Sequence, residues 1–316
     1  LNLPDYLRFG FEIEALIYED QIKNDMIRAT NHDFFDNEGF HGVPEMITFE
    51  ENEYGGFDNC EGGEIVTPIL TDTEESWLDI KRACEYLEEN GRITSYCSVH
   101  TNIGAESLGN NYSNWYNFCK IIAACEPEIY RYLSNGEEIR SCAISGGFRT
   151  GFAMPIAEDL RNGLEKSSEE NVSDINTLLN NCKFGGDYQY KKDKSISLKG
   201  IYKNSTEIIS PDELEKSIEG KRIEFRMANG TFSPIQIQSQ LYFISRIIET
   251  ARNLTPQKNK QLDELLSKPL PKDYNATPDI SRVLDVANIL FDDKVYNCKF
   301  SNYEFNLKKV SSIEFN

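Results

Sequence analysis

Two short segments far apart in the chain constrain its fold most: Phe9-Gly10-Phe11-Glu12-Ile13-Glu14 and Arg222-Ile223-Glu224-Phe225-Arg226-Met227-Ala228-Asn229-Gly230-Thr231. In both, charged residues alternate with large apolar ones, and an extended backbone sends successive side chains to opposite faces. The segments are therefore expected as strands of one sheet, with Ile223, Phe225 and Met227 on its apolar face and Arg222, Glu224 and Arg226 on its charged face. Buried carboxylates must be paired or coordinate a metal. The charged face is thus read as wet or ion-binding, the floor of an active site.

The same period of two extends this reading. Residues Tyr6 to Tyr18 are predicted as a strand that puts Glu12 and Glu14 on one face. From Tyr54 to Leu70, Gly55, Gly56, Gly62 and Gly63 surround Asp58 and Glu61, and Glu64-Ile65-Val66-Thr67 then enters a strand that Pro68 ends. These glycines follow no phosphate-loop or dinucleotide pattern. Ile93 to Ile103 is predicted as another strand, with Ser98, His100 and Asn102 pointing one way. A lone strand histidine is usually a structural hydrogen-bonder; polar neighbours on the same face make His100 a candidate ligand.

Helices are predicted from Thr73 to Asn90, over Tyr112 to Leu133 with Pro127 as a kink or break, in part of Leu160 to Phe184, from Ser233-Pro234 onward, and over Ile280 to Leu290. Ser210-Pro211 has the signature of a short helix start. Their apolar stripes are core contacts. Residues 19–53 read as loop, and His32 and His41 within it lack a Cys or third His to complete a zinc site. Arg131, Arg140 and Lys199 each read equally as a contact to phosphate or carboxylate and as a solvated charge.

The length of 316 residues suits a catalytic domain over residues 1–252 with a partly helical extension over 253–316. A net charge of −19 repels phosphate backbones and anionic lipid, which argues against nucleic-acid and membrane partners. The eight cysteines are scattered singly, with no CxxC pair, as expected of a reducing cytoplasm. No stretch approaches the ~20 apolar residues of a membrane span, and Leu1-Asn2-Leu3-Pro4-Asp5 lacks the basic-then-apolar pattern of a leader.

Collected, the candidates are Glu12, Glu14, Asp58, Glu61, Glu64, His100, Asn102, Glu224 and Arg226. Hard divalent cations take oxygen ligands of this kind together with substrate phosphates, so a Mg-nucleotide platform fits the set. The residues alone leave phosphoryl transfer and metal-dependent hydrolysis both open.

Four of these stretches, taken in order, resemble a known family. Phe-Gly-Phe-Glu-Ile-Glu at 9–14, Gly-Gly-Glu-Ile-Val-Thr-Pro at 62–68, Ser-Val-His-Thr-Asn at 98–102 and Arg-Ile-Glu-Phe-Arg-Met-Ala-Asn-Gly-Thr at 222–231 occur in the order found in amidoligases. That family is similar to glutamate–cysteine ligase and glutamine synthetase, the carboxylate–amine ligase fold. Each motif is weak singly, and their order makes the resemblance more specific. It spans about residues 6–252 and matches nothing in the 19–53 loop or the C-terminal extension.

The resemblance implies an α+β fold: a curved, funnel-like antiparallel sheet with helices packed outside. It also implies ATP-driven amide or isopeptide formation, in which a carboxylate of a small molecule, peptide or protein becomes an acyl phosphate and an amine displaces phosphate. By matching motif, Glu12, Glu14, Asp58, Glu64 and Glu224 would hold Mg²⁺, with Mn²⁺ as a substitute. The Asn-Cys after Asp58 departs from the usual pattern. His100 would contact a phosphate or carboxylate oxygen, Arg226 would neutralise the transferring phosphoryl group, and Asn102, Arg140, Lys199 and Arg222 would bind the nucleotide. Guanidino-kinase-like phosphotransfer on the same fold is one alternative, and a catalytically inactive binding relative is another.

Overall fold

The fold is seen in a computed structural model, which describes residues 1, 3–18, 41–45, 60–93, 97–134, 153–184, 194–199, 202–204, 207–208, 221–274 and 279–291. For residues 17–18, 41–45, 60–63, 199, 202–204 and 207–208 the description is of backbone alone.

Alternation does produce strands. β1 (Phe9–Tyr18), β2 (His41–Glu45) and β3 (Cys60–Val66) are followed by helix α1 (Glu74–Asn90), the two-residue β4 (Gly91–Arg92) and β5 (Ser98–Gly104). After helices α2 (Tyr112–Leu133), α3 (Ala157–Glu169) and α4 (Ile175–Asn181) come β6 (Ile196–Lys199), the short pair β7 (Tyr202–Asn204) and β8 (Glu207–Ile208), and β9 (Arg222–Asn229). A short 3-10 turn (Ala105–Leu108) follows β5, and helices α5 (Pro234–Arg252), α6 (Pro256–Ser267) and α7 (Ile280–Leu290) complete the described elements. The architecture is α+β. Its main sheet is open and antiparallel, ordered β2-β3-β1-β5-β9-β6, with β4 also paired to β1.

β1 and β9 therefore share one sheet as expected, yet they are not neighbours. β5 lies between them, with His100 opposite Glu12 and Asn102 opposite both Gly10 and Glu224. The strand starts at Ser98 rather than at Ile93, which is exposed.

One face of the sheet is apolar. Phe9, Phe11, Ile13, Val99, Ile103, Ile223 and Phe225 are all buried in the main core. Helices α1, α2 and α5 pack over this face, with Phe118 edge-on to Phe225 at 6.2 Å and Trp77 stacked on Phe9 at 5.7 Å. α2 runs unbroken through Pro127 and is buried on most of its circumference, so it is the central helix rather than a one-sided amphipathic one.

The expected alternation in β9 fails at one place, and a bulge is the reason. Thr101 pairs with Phe225 but Val99 pairs with Ala228, so β9 carries one extra residue opposite His100. Met227 and Ala228 are consequently both buried in the apolar core, and Asn229 comes opposite Ser98. Gly230 follows at a close approach: a Cβ there would lie 2.8 Å from Cys97 Cβ.

A second polar centre holds the helical layer together. The N-terminus of α3 has no side-chain cap of its own. Glu126, fully buried in α2, supplies the acceptors: Ile156 N and Ala157 N each donate to its carboxylate at 2.9 Å, Ser195 Oγ donates at 2.9 Å and Tyr274 OH at 3.1 Å. Burial pushes this carboxyl above its usual range, and the four hydrogen bonds pull in the other direction.

The described residues beyond 252 belong to the same packing. Arg282 in α7 grips Glu128 of α2 through Nε at 2.8 Å and NH2 at 3.2 Å, and Val286, Ile289 and Leu290 enter the core. Helices α6 and α7 lie in this segment, and α7 is docked on the central helix. Cys84, Cys119, Cys125 and Cys182 are free thiols, and they and Cys97 are buried. Burial pushes the Cys84 thiol up to about 12 and raises Cys125 further, so these thiols pack as small hydrophobes. No helix among the described residues is long and apolar enough to cross a membrane.

Candidate active site

The opposite face of the sheet gathers the acidic residues. β1 contributes Glu12 and Glu14, β3 contributes Glu64 opposite Glu14, β5 contributes Ser98, His100 and Asn102, and β9 contributes Glu224. This face is charged but not wet: Glu12, Glu14, Glu64, His100 and Glu224 are 3 to 7% exposed. Desolvation and mutual repulsion both disfavour carboxylates held this way. Cations or protons must therefore be part of the arrangement.

Some partners come from the protein. Glu12 Oε1 accepts from Arg222 NH2 at 2.9 Å and from Asn102 Nδ2 at 3.2 Å. Arg226 and Glu224, two residues apart on one face of β9, pair directly. Ser98 donates both its backbone N–H and its hydroxyl to Glu14 Oε2, at 2.7 and 2.6 Å.

That last contact determines what His100 can do. With the Ser98 hydroxyl proton on Glu14, Ser98 Oγ can only accept from His100 Nε2, 2.7 Å away. Nδ1 then faces Glu12 Oε2 at 3.3 Å and Glu224 Oε1 at 3.6 Å. A neutral ring would turn its lone pair toward two carboxylate oxygens. Such a convergence is satisfied by a proton on Nδ1 or by a cation between the three atoms.

The donor set fits a divalent ion. Ligand atoms of Glu12, His100 and Glu224 lie within 4.8 Å of one another, and so do those of Glu14, Glu64 and His100. Both groups include the imidazole, but with Nε2–H donating to Ser98 only Nδ1, which faces Glu12 and Glu224, has a lone pair to give a cation. Carboxylate oxygens with one nitrogen suit Mg²⁺ or Mn²⁺ better than a thiophilic metal.

The expected residues divide accordingly. Glu12, Glu14, Glu64, His100, Asn102, Arg222, Glu224 and Arg226 come together on one face. Lys199 is placed only by register, opposite Arg222. Asp58, Arg140, His32 and the helix start at Ser210 lie outside the described residues, as do the side chains of Glu61 and His41. Ser98 was readable as a same-face neighbour of His100 but not as the group that orients both His100 and Glu14. Its signal was its spacing of two from the histidine.

No protein-family model matches this chain, and no curated protein matches its sequence.

Proposed function

We propose that this chain is an ATP-dependent carbon–nitrogen ligase, joining a carboxylate to an amine through an acyl-phosphate intermediate. The observation that carries the reading is the pair of overlapping carboxylate groups that share His100 on one buried sheet face. Two adjacent hard-cation sites suit a polyphosphate, and bound Mg²⁺ would offset phosphate charge as the γ-phosphoryl group transfers. The ordered motifs at 9–14, 62–68, 98–102 and 222–231 add the resemblance to amidoligases.

In this reading Glu12, Glu224 and His100 Nδ1 hold one cation and Glu14 and Glu64 the other. Arg226, tethered to Glu224, provides positive charge beside the transferring group. Arg222 and Asn102 hold Glu12 in place. The carboxylate partner is a small molecule, peptide or protein, the second substrate is an amine, and the compartment is the reducing cytoplasm.

The test is phosphate release from Mg-ATP across a panel of carboxylate and amine pairs. The ligase reading expects ADP and phosphate to appear only when both substrates are present, with one amide formed per ATP. A stable phosphorylated product without an amide would select phosphotransfer instead. Measurable Mg-ATP binding with no release for any pair would sink the ligase reading.

A further inference from the structure

Ser98 and His100 stand two residues apart on β5, so their side chains leave the same face of the strand. Both are buried, and buried polar atoms need partners. Ser98 has one hydroxyl proton, which Glu14 Oε2 accepts at 2.6 Å beside the backbone N–H of the same serine at 2.7 Å. What remains on Ser98 Oγ is an acceptor.

Two oxygens compete for a proton on His100 Nε2. Ser98 Oγ is 2.7 Å away and Glu14 Oε1 is 3.5 Å away, the second at the outer limit of hydrogen bonding. Ser98 therefore takes the Nε2–H and stands as a neutral spacer between the imidazole and Glu14. The Nδ1 lone pair is left with Glu12 Oε2 at 3.3 Å and Glu224 Oε1 at 3.6 Å. The two carboxylate groups are thereby made chemically unlike: Glu12 and Glu224 act with a nitrogen, Glu14 and Glu64 with oxygen alone. Mg²⁺ takes oxygen ligands and gives up its water reluctantly, whereas first-row transition ions accept imidazole.

We propose that Ser98 is a positioning residue that sets cation preference: by fixing His100 with its proton on Nε2, it commits the imidazole to the Glu12–Glu224 group and makes that group favour Mn²⁺ over Mg²⁺. The Glu14–Glu64 group makes no such choice. The Ser98 hydroxyl is spent on Glu14 and His100, so it acts through them. Without it, Glu14 Oε1 at 3.5 Å becomes the acceptor toward which Nε2–H turns, and the Nδ1 lone pair swings off the Glu12–Glu224 convergence. The assignment rests on the reading of this face as a cation site, but it requires neither ATP nor turnover.

Nitrogen-15 NMR of histidine-labelled protein tests it, with Zn²⁺ as a diamagnetic ion that accepts imidazole and no nucleotide present. The chain has three histidines, and His100→Gln identifies the resonances of His100. In the wild type, Zn²⁺ is expected to move the Nδ1 resonance while Nε2 keeps its proton, and Mn²⁺ is expected to outcompete Mg²⁺ in an electron paramagnetic resonance titration. Ser98→Ala is expected to lose the persistent Nε2–H signal and to reduce the preference for Mn²⁺ over Mg²⁺ by about tenfold; Ser98→Thr, which keeps the hydroxyl, should restore both. A merely structural serine would shift the thermal melt without changing which nitrogen carries the proton. The proposal is overturned if Zn²⁺ moves Nε2 in place of Nδ1, a result that needs no variant to fold. It is also overturned if no ion moves either nitrogen, or if folded Ser98→Ala keeps both the Nε2–H signal and the cation preference. Absence of phosphate release with these results intact would instead count against the ligase reading alone.

Discussion

Glu224→Gln is expected to lower Mg-ATP turnover by about 100-fold or more while leaving the fold intact. Glu224 is 3% exposed, pairs with Arg226 and stands 3.6 Å from His100 Nδ1, so in the proposed reading its charge would serve a cation as well as Arg226. The amide keeps the volume and one acceptor toward Arg226, and it removes one negative charge from a face crowded with carboxylates. Stability is therefore expected to change by no more than about 1 kcal/mol, read as the melt in the absence of divalent cations. Glu12→Ala would be a less clean probe, because it strips the acceptor from Asn102 Nδ2 and Arg222 NH2 at once. If Glu224→Gln turned over ATP at the wild-type rate, the cation role of this face would be wrong.

Glu126→Ala is expected to destabilise the protein by about 3–5 kcal/mol, measured by denaturant unfolding. The carboxylate is fully buried and accepts from two backbone N–H groups at the start of α3, from Ser195 at the entry to β6, and from Tyr274 in the C-terminal segment. Truncation orphans all four donors inside the core. Glu126→Gln should also be destabilising, since an amide presents N–H groups on one branch where the carboxylate accepts on both. A loss of under about 1 kcal/mol for Glu126→Ala would mean that water replaces the carboxylate and that this junction is not a closed core.

How much of this was legible in the sequence depended on range. Period-two alternation identified β1, β5 and β9 and the facing of Glu12, Glu14, His100 and Glu224, because side-chain direction in a strand is a local property. Thr73 and Ser233 cap α1 and α5 as their sequence signatures predict. Strand order is not local. Only the pairing of β5 between β1 and β9 turns His100 from an isolated strand histidine into the hub of two carboxylate groups. The bulge opposite His100, which sends both Met227 and Ala228 into the core, is likewise a property of the pair of strands. Glu126 was hidden differently. In a helix of strong apolar period, one glutamate beside a proline reads as a solvated charge, and its four donors arrive from residues 30 to 148 positions away. Arg8 and Lys221 flank the strand motifs without belonging to them, so only the meeting of β1, β3, β5 and β9 at one end of the sheet brings them to one pocket.

The most direct measurement of the central claim is a Mn²⁺ titration followed by electron paramagnetic resonance, in the presence and absence of ADP. The two carboxylate groups that share His100 predict Mn²⁺ bound by the wild-type protein, strengthened by ADP, and weakened by about tenfold or more in Glu224→Gln and in Glu14→Gln. No bound Mn²⁺ with or without nucleotide, or binding that both substitutions leave unchanged, would contradict it. The face would then be a structural carboxylate cluster held by Ser98, Asn102, Arg222 and Arg226.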